Sequence, residues 1–143
     1  MSVEENKALA TRIIEEFINK KNPSVADEIF AEDFHNHSSP SGITPDREGL
    51  KQMIAWGWKT SPDFHLAIED MVAENDKVVL SMRGTGTFTG EVLGVQVTNK
   101  SFSSFTITIL RFEGGKAKER WNVVDNLDSL LQLGLDIKVF NKA

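Results

Sequence analysis

An α+β fold is predicted by three features of this chain. Helical periodicity is confined to the residues before Ser61 and to a short C-terminal stretch, and four long strand-like runs follow one another between Phe64 and Asp125. No glycine-rich loop joins a strand to a helix, as a doubly wound sheet would require. With 143 residues, 40% hydrophobic and 26% charged, residues 1–143 read as one domain large enough to bury a core and leave a cavity in it.

The elements follow in order. From Glu4 to Lys20, Leu9, Ile13, Ile14, Phe17 and Ile18 recur at helical spacing, which predicts an amphipathic helix. Lys21-Asn22-Pro23 breaks it, and Ser24 is expected to cap a second short helix with Val25, Ile29 and Phe30 on its apolar edge. A brief extended segment, Ala31 to His37, runs into a Ser-, Pro- and Gly-rich stretch ending at Thr44, expected to be a mobile lid. Pro45-Asp46-Arg47-Glu48 opens a third helix carrying Leu50, Met53, Ile54, Trp56 and Trp58, which Ser61-Pro62-Asp63 ends. Phe64 to Glu74 and Lys77 to Gly86 predict a hairpin, with Gly84 to Gly90 as the strand's exit into a loop.

The last third organises the rest. Phe102 to Phe112 is aromatic, β-branched or aliphatic almost throughout and suits a buried strand, and Glu113-Gly114-Gly115-Lys116 turns it back into Ala117 to Asp125. In the absence of a bulge Trp121, Val123 and Asp125 share one face, so a carboxylate lies on an apolar surface. Desolvation there would raise its pKa toward working pH, as a general base requires; the alternative is that Asp125 caps the following helix. Asn126 or Asp128 is the expected N-cap of that helix, and Gly134 its C-terminal stop.

Other residues carry chemistry in principle. Arg111 either stabilises an oxyanion or forms a salt bridge with Asp125, Glu113 or Glu119 across the hairpin. His35 and His37, two apart on an extended segment, share a face, but no third histidine except His65 completes a metal site, and no metal or other cofactor is expected. Trp56, Trp58, Trp121, Phe102, Phe105 and Met53 are candidates to line a pocket for an apolar ligand. A net charge of -5 gives no electrostatic reason to expect nucleic acid or an anionic membrane surface. The absence of cysteine excludes disulfides and thiolate nucleophiles, and the charged N-terminus lacks a signal-peptide core, so a cytoplasmic location is expected. With no tyrosine, a phenolic donor is excluded from any site.

Ala31-Glu32-Asp33-Phe34 ahead of His37, Ser61-Pro62-Asp63, Gly84-Thr85-Gly86-Thr87, Arg111-Phe112-Glu113-Gly114-Gly115-Lys116 and Glu119-Arg120-Trp121-Asn122-Val123-Val124-Asp125 followed by Leu130-Leu131-Gln132-Leu133-Gly134 together resemble the SnoaL-like polyketide cyclases, or ester cyclases, of the nuclear-transport-factor-two-like (NTF2-like, cystatin-like) superfamily. The resemblance spans nearly the whole chain. It implies a cone-shaped α+β barrel, a strongly curved antiparallel sheet wrapped around three N-terminal helices. It also implies intramolecular aldol ring closure, an isomerase-type reaction without cofactor, with Asp125 as base and His37 at the pocket mouth. Where the best-characterised members place an assisting histidine this chain has Arg111 nearby, and Val97-Thr98-Asn99 replaces the family's Pro-Thr-Gly.

Two functions of different class follow. One is an enzyme acting by acid-base chemistry on a small, mostly apolar carbonyl compound, and the other a non-catalytic binding or dimerisation module of the same fold. Apolar or threonine-rich residues on both faces of 105–110 also predict a homodimer through the outer sheet face.

Overall fold

The computed structural model describes residues 1–136. Ser2 accepts a hydrogen bond from Glu5 N (3.1 Å) and starts α1, Val3–Arg12, which runs on as a π-helical stretch, Ile13–Asn19, whose Ile13, Ile14 and Phe17 are buried. Asn22, not Ser24, caps α2 (Pro23–Ile29), because Pro23 takes the first helical position and leaves Asn22 Oδ1 to accept from Ser24 N. β1 is Phe30–Asn36. Asp46 caps α3, Arg47–Thr60, through Gly49 N (2.8 Å). Four strands follow, β2 (His65–Glu74), β3 (Lys77–Val92), β4 (Val95–Glu113) and β5 (Lys116–Val124), and then α4 (Asn126–Gln132).

Gly84 to Gly90 belongs to β3 rather than to a loop. Its glycines answer a close approach: a Cβ on Gly84 would stand 2.9 Å from the Phe64 ring and one on Gly86 2.4 Å from Ser61 Oγ. β3 and β4 form one long hairpin that turns at Leu93 and Gly94, both at positive φ.

The strand order is β1-β5-β4-β3-β2. The α+β expectation holds, with two corrections of detail. β1 lies parallel to β5, so the sheet is mixed rather than wholly antiparallel, and β1 and β2 are its free edges, so it does not close into a barrel. A chain that passes through a helix between β1 and the other strands can return in parallel to β5, which hairpin connections alone would not allow.

The register of β5 decides which residues face inward. Phe112 pairs with Ala117 but Arg111 pairs with Glu119, so Lys118 is an extra residue, a bulge. Ala117 faces the core, and beyond the bulge Arg120, Asn122 and Val124 face inward while Glu119, Trp121 and Val123 face out. The core packs α1, the π-helical stretch, α2 and α3 against Val78, Leu80 and Met82 of β3 and Leu110 and Phe112 of β4. A second cluster, Phe88, Val97, Leu133 and Leu135, seats the end of α4 on the long hairpin. No helix among the described residues is long and apolar enough to cross a membrane.

Candidate functional site

Between the helices and the inner face of β4 and β5 lies a cavity of about 410 Å³. Its walls differ in chemistry. Ile13, Ile14, Phe17 and Ile18 from the first helix, and Leu50, Met53, Ile54 and Trp56 from α3, make one side wholly apolar in its contacts. The opposite side is a polar strip: Ser104, Thr106 and Thr108 of β4, Arg120 and Asn122 of β5, and Asn126 at the start of α4. A cavity of this size with a few convergent polar groups is what a small-molecule site requires.

Thr108 and Asn122 are directly paired across the strands, and the Thr108 hydroxyl donates to Asn122 Oδ1 at 2.6 Å. In this arrangement the amide oxygen is turned to Thr108. Asn122 Nδ2 makes no hydrogen bond among the described residues and stays free as a donor on the lining. The backbone N of Asn122 donates to Ser38 Oγ (2.7 Å), which fixes the strand from behind.

Arg120 is the one cation among the described lining residues, and no carboxylate or histidine lies there with it. It opens onto the cavity and is half-buried, and desolvation pushes its guanidinium down to about 10, still charged at neutral pH. The guanidinium's one hydrogen bond to the protein among the described residues runs from Nη1 to Asn36 Oδ1, at 3.3 Å. Asn36 is 2% exposed, and its Nδ2 has no acceptor among the described residues.

The structure separates the residues nominated from the sequence. Met53 and Trp56 line the cavity, Trp56 at its rim with 55% of its surface exposed. Trp58 does not: its ring packs edge-on against Phe17 and its Nε1 donates to Ile18 O (3.1 Å), making it part of the core. Trp121 is on the outer face because of the bulge, Phe105 is there by alternation with the inward Thr106 of β4, and Phe102 packs with the second core cluster.

Asp125 is not a strand-face carboxylate in an apolar cavity. β5 ends at Val124, Asp125 is exposed, and its Oδ1 accepts from Asp128 N (3.2 Å), so Asp125 itself, not Asn126 or Asp128, is the N-cap of α4. It stands between two lining residues, Val124 and Asn126, at the edge of the cavity.

Arg111 and His37 are likewise outside. Arg111 is bonded to Glu119, the residue directly opposite it, with Asp76 and Glu113 at 3.8 and 3.9 Å, which is the salt bridge across the hairpin. His37 stacks on Trp121 (centroids 4.6 Å apart, planes 4° apart), with Nε2 2.9 Å from Glu119 Oε1. Arg111 first, and then His37, hold the Glu119 carboxyl below the usual range. His35 packs edge-on against His37, and among the described residues no group of three or more His, Asp or Glu side chains gathers as a metal site.

Residues 37–44 do not line the cavity. Bonds from His37 N to Arg120 O (2.9 Å), Ser38 N to Asn36 Oδ1 (3.2 Å) and Ser39 Oγ to Ile43 O (2.9 Å) tie the segment to the edge of the sheet, so it is not placed to act as a lid. Arg120 and Asn122 were missed because the alternation was followed through Ala117 without the bulge at Lys118, and Thr106 and Thr108 because Phe105, on the opposite face of β4, was taken to face the pocket. The available signal was Arg111 and Glu119, two charged residues that belong together on a solvent face.

The model of the SnoaL-like polyketide cyclases matches residues 8–133. Among solved structures, TsrD from Streptomyces laurentii is 25% identical with a TM-score of 0.83, covering 94% of this chain and 98% of its own. A candidate polyketide cyclase from Bacillus cereus ATCC 10987 is 31% identical with a TM-score of 0.79, over 92% of this chain and 81% of that one. AclR, a candidate hydroxylase from Streptomyces galilaeus, is 28% identical with a TM-score of 0.80, over 93% and 98%. Among proteins with curated descriptions none is significantly similar.

Proposed function

Because this chain belongs to the SnoaL-like polyketide cyclase family, whose members support a cyclase-type function, we propose that its cavity takes a small, mostly apolar carbonyl compound and closes a ring in it by an aldol-type reaction. The observation that carries this is the two-sided cavity. An apolar body packs on the helices while its oxygens meet the β4–β5 strip. In such a closure a carbon gives up its proton to a base, the carbanion forms the ring bond to a carbonyl carbon, and the carbonyl oxygen takes the charge and then a proton. Asn122 Nδ2, oriented by Thr108, is the donor we assign to that oxygen. Asp125 is the base in this proposal, reached by a substrate carbon held at the edge of the cavity between Val124 and Asn126.

The test uses 2-acetylnaphthalene, a neutral methyl ketone. Its binding should be abolished by Ile54→Trp, which fills the cavity, and wild-type protein should speed deuterium uptake from solvent into its methyl group, with Asp125→Asn losing that exchange. Failure to bind the ketone or any other apolar carbonyl compound of that size overturns the cavity reading. Binding without exchange favours the second reading, a binding module, to which the absence of any carboxylate or imidazole among the described lining residues already inclines.

The outer sheet face belongs to the same proposal as the place where two copies pair. Val72, Val79, Ile109 and Trp121 are consecutive partners across four strands and form an apolar row, with Ile107 and Val123 beside it.

A further inference from the structure

Arg120 has no use in the ring closure just described, yet it is the most expensive side chain in the cavity to keep. A guanidinium offers five N–H donors in a planar fork, and here one of them has a protein acceptor, at the long distance of 3.3 Å. No carboxylate among the described residues comes within 4.0 Å of it, whereas Arg12, Arg47, Arg83 and Arg111 each have one. A half-buried, partly desolvated cation without a counter-charge disfavours folding, and what would offset it is an anion that the described residues do not supply. The donor beside it is unsatisfied as well, since Asn36 Nδ2 is buried without an acceptor among the described residues. The rest of the lining around Arg120 is neutral, and most of it is apolar.

We propose that the compound bound in this cavity carries a carboxylate, held by the guanidinium of Arg120 while its apolar body lies against the π-helical stretch and α3. The inference rests on the cavity reading above and adds the class of its ligand: an apolar carbonyl compound that also carries a free carboxylate, rather than a neutral one. A planar two-oxygen anion matches the fork, and one cation balances one negative charge, which a doubly charged phosphate would exceed. Asn36 Oδ1 positions the guanidinium from the far side. The pair would lie inside the cavity and partly desolvated, so salt should weaken it less than a surface ion pair.

A matched pair of probes tests this, 2-naphthoate and 2-acetylnaphthalene, which differ in carboxylate against acetyl on the same ring system. By isothermal titration, wild-type protein should bind the carboxylate at least about tenfold more tightly than the ketone, the range of a charge-assisted hydrogen bond, at low and at high salt. Arg120→Met should erase the preference while leaving ketone binding in place, and its melting temperature without ligand should match or exceed the wild type's. Arg120→Lys should retain part of the preference. Equal affinities in the wild type overturn the proposal and leave the cavity reading intact, whereas failure of both probes to bind overturns both. A preference that persists in Arg120→Met overturns the assignment to Arg120. Should that variant not fold, the wild-type comparison and Arg120→Lys still decide.

Discussion

The hydroxyl of Thr108 donates to Asn122 Oδ1 at 2.6 Å between directly paired positions of β4 and β5, inside the cavity. Both side chains belong to the polar strip, so the bond is a structural one with a consequence for binding. Thr108→Val keeps the shape and removes the donor. Stability should fall by about 1 kcal/mol, and more if the Asn122 oxygen finds no other partner. The freed amide should also bind 2-acetylnaphthalene less well. Urea denaturation and titration of the ketone check the two effects, and unchanged ketone affinity would show that Asn122 does not meet the carbonyl.

Asp125 caps α4, and its substitutions separate structure from chemistry. Asp125→Ala should cost about 1 kcal/mol, the usual loss of an N-cap. Asp125→Asn should leave stability nearly unchanged, because asparagine caps as well as aspartate. A buried unpaired carboxylate would instead gain stability on becoming an amide. With its capping role accounted for, any loss of deuterium exchange in Asp125→Asn reports on the base.

The Arg111–Glu119–His37 cluster makes a pH prediction. Glu119 is held below its ordinary range in the folded state, so its contribution to stability is complete above the unfolded carboxylate pKa and disappears as pH falls through the lower, folded one. Glu119→Gln should therefore melt below the wild type at neutral pH and converge with it on acidification. Melting curves from neutral to about pH 3 check this, and a gap constant over that range would show that the ion pair contributes nothing.

Val123, 73% exposed, and Ile107 lie side by side on the outer face, directly paired across β4 and β5. If two copies meet there, Val123→Glu should place two like charges in the interface and convert a dimer into a monomer without loss of fold. Sedimentation at roughly tens of micromolar, a concentration suited to micromolar or tighter association, reads the outcome. A wild type that is monomeric there contradicts the pairing.

By itself the sequence determined the α+β class, the order of nearly every element and the hairpin at Gly114 and Gly115, which have φ of 59° and 80°. These follow from local causes: helical or two-residue periodicity, caps, and the left-handed backbone that glycine adopts without strain. The resemblance carried by Trp121 to Gly134 likewise led to the family the whole chain matches. What only the tertiary structure decided is which side of β5 faces the cavity. Strand alternation has a period of two, so the single extra residue at Lys118 exchanges the two faces of everything that follows, moving Trp121 and Val123 out and bringing Arg120 and Asn122 in. No local preference reveals such a slip, since both sets contain apolar residues. It is set by long-range pairing with β4 and by Ala117 and Phe112 packing into the core together. The same long-range pairing leaves Arg120 in the cavity with no carboxylate beside it among the described residues.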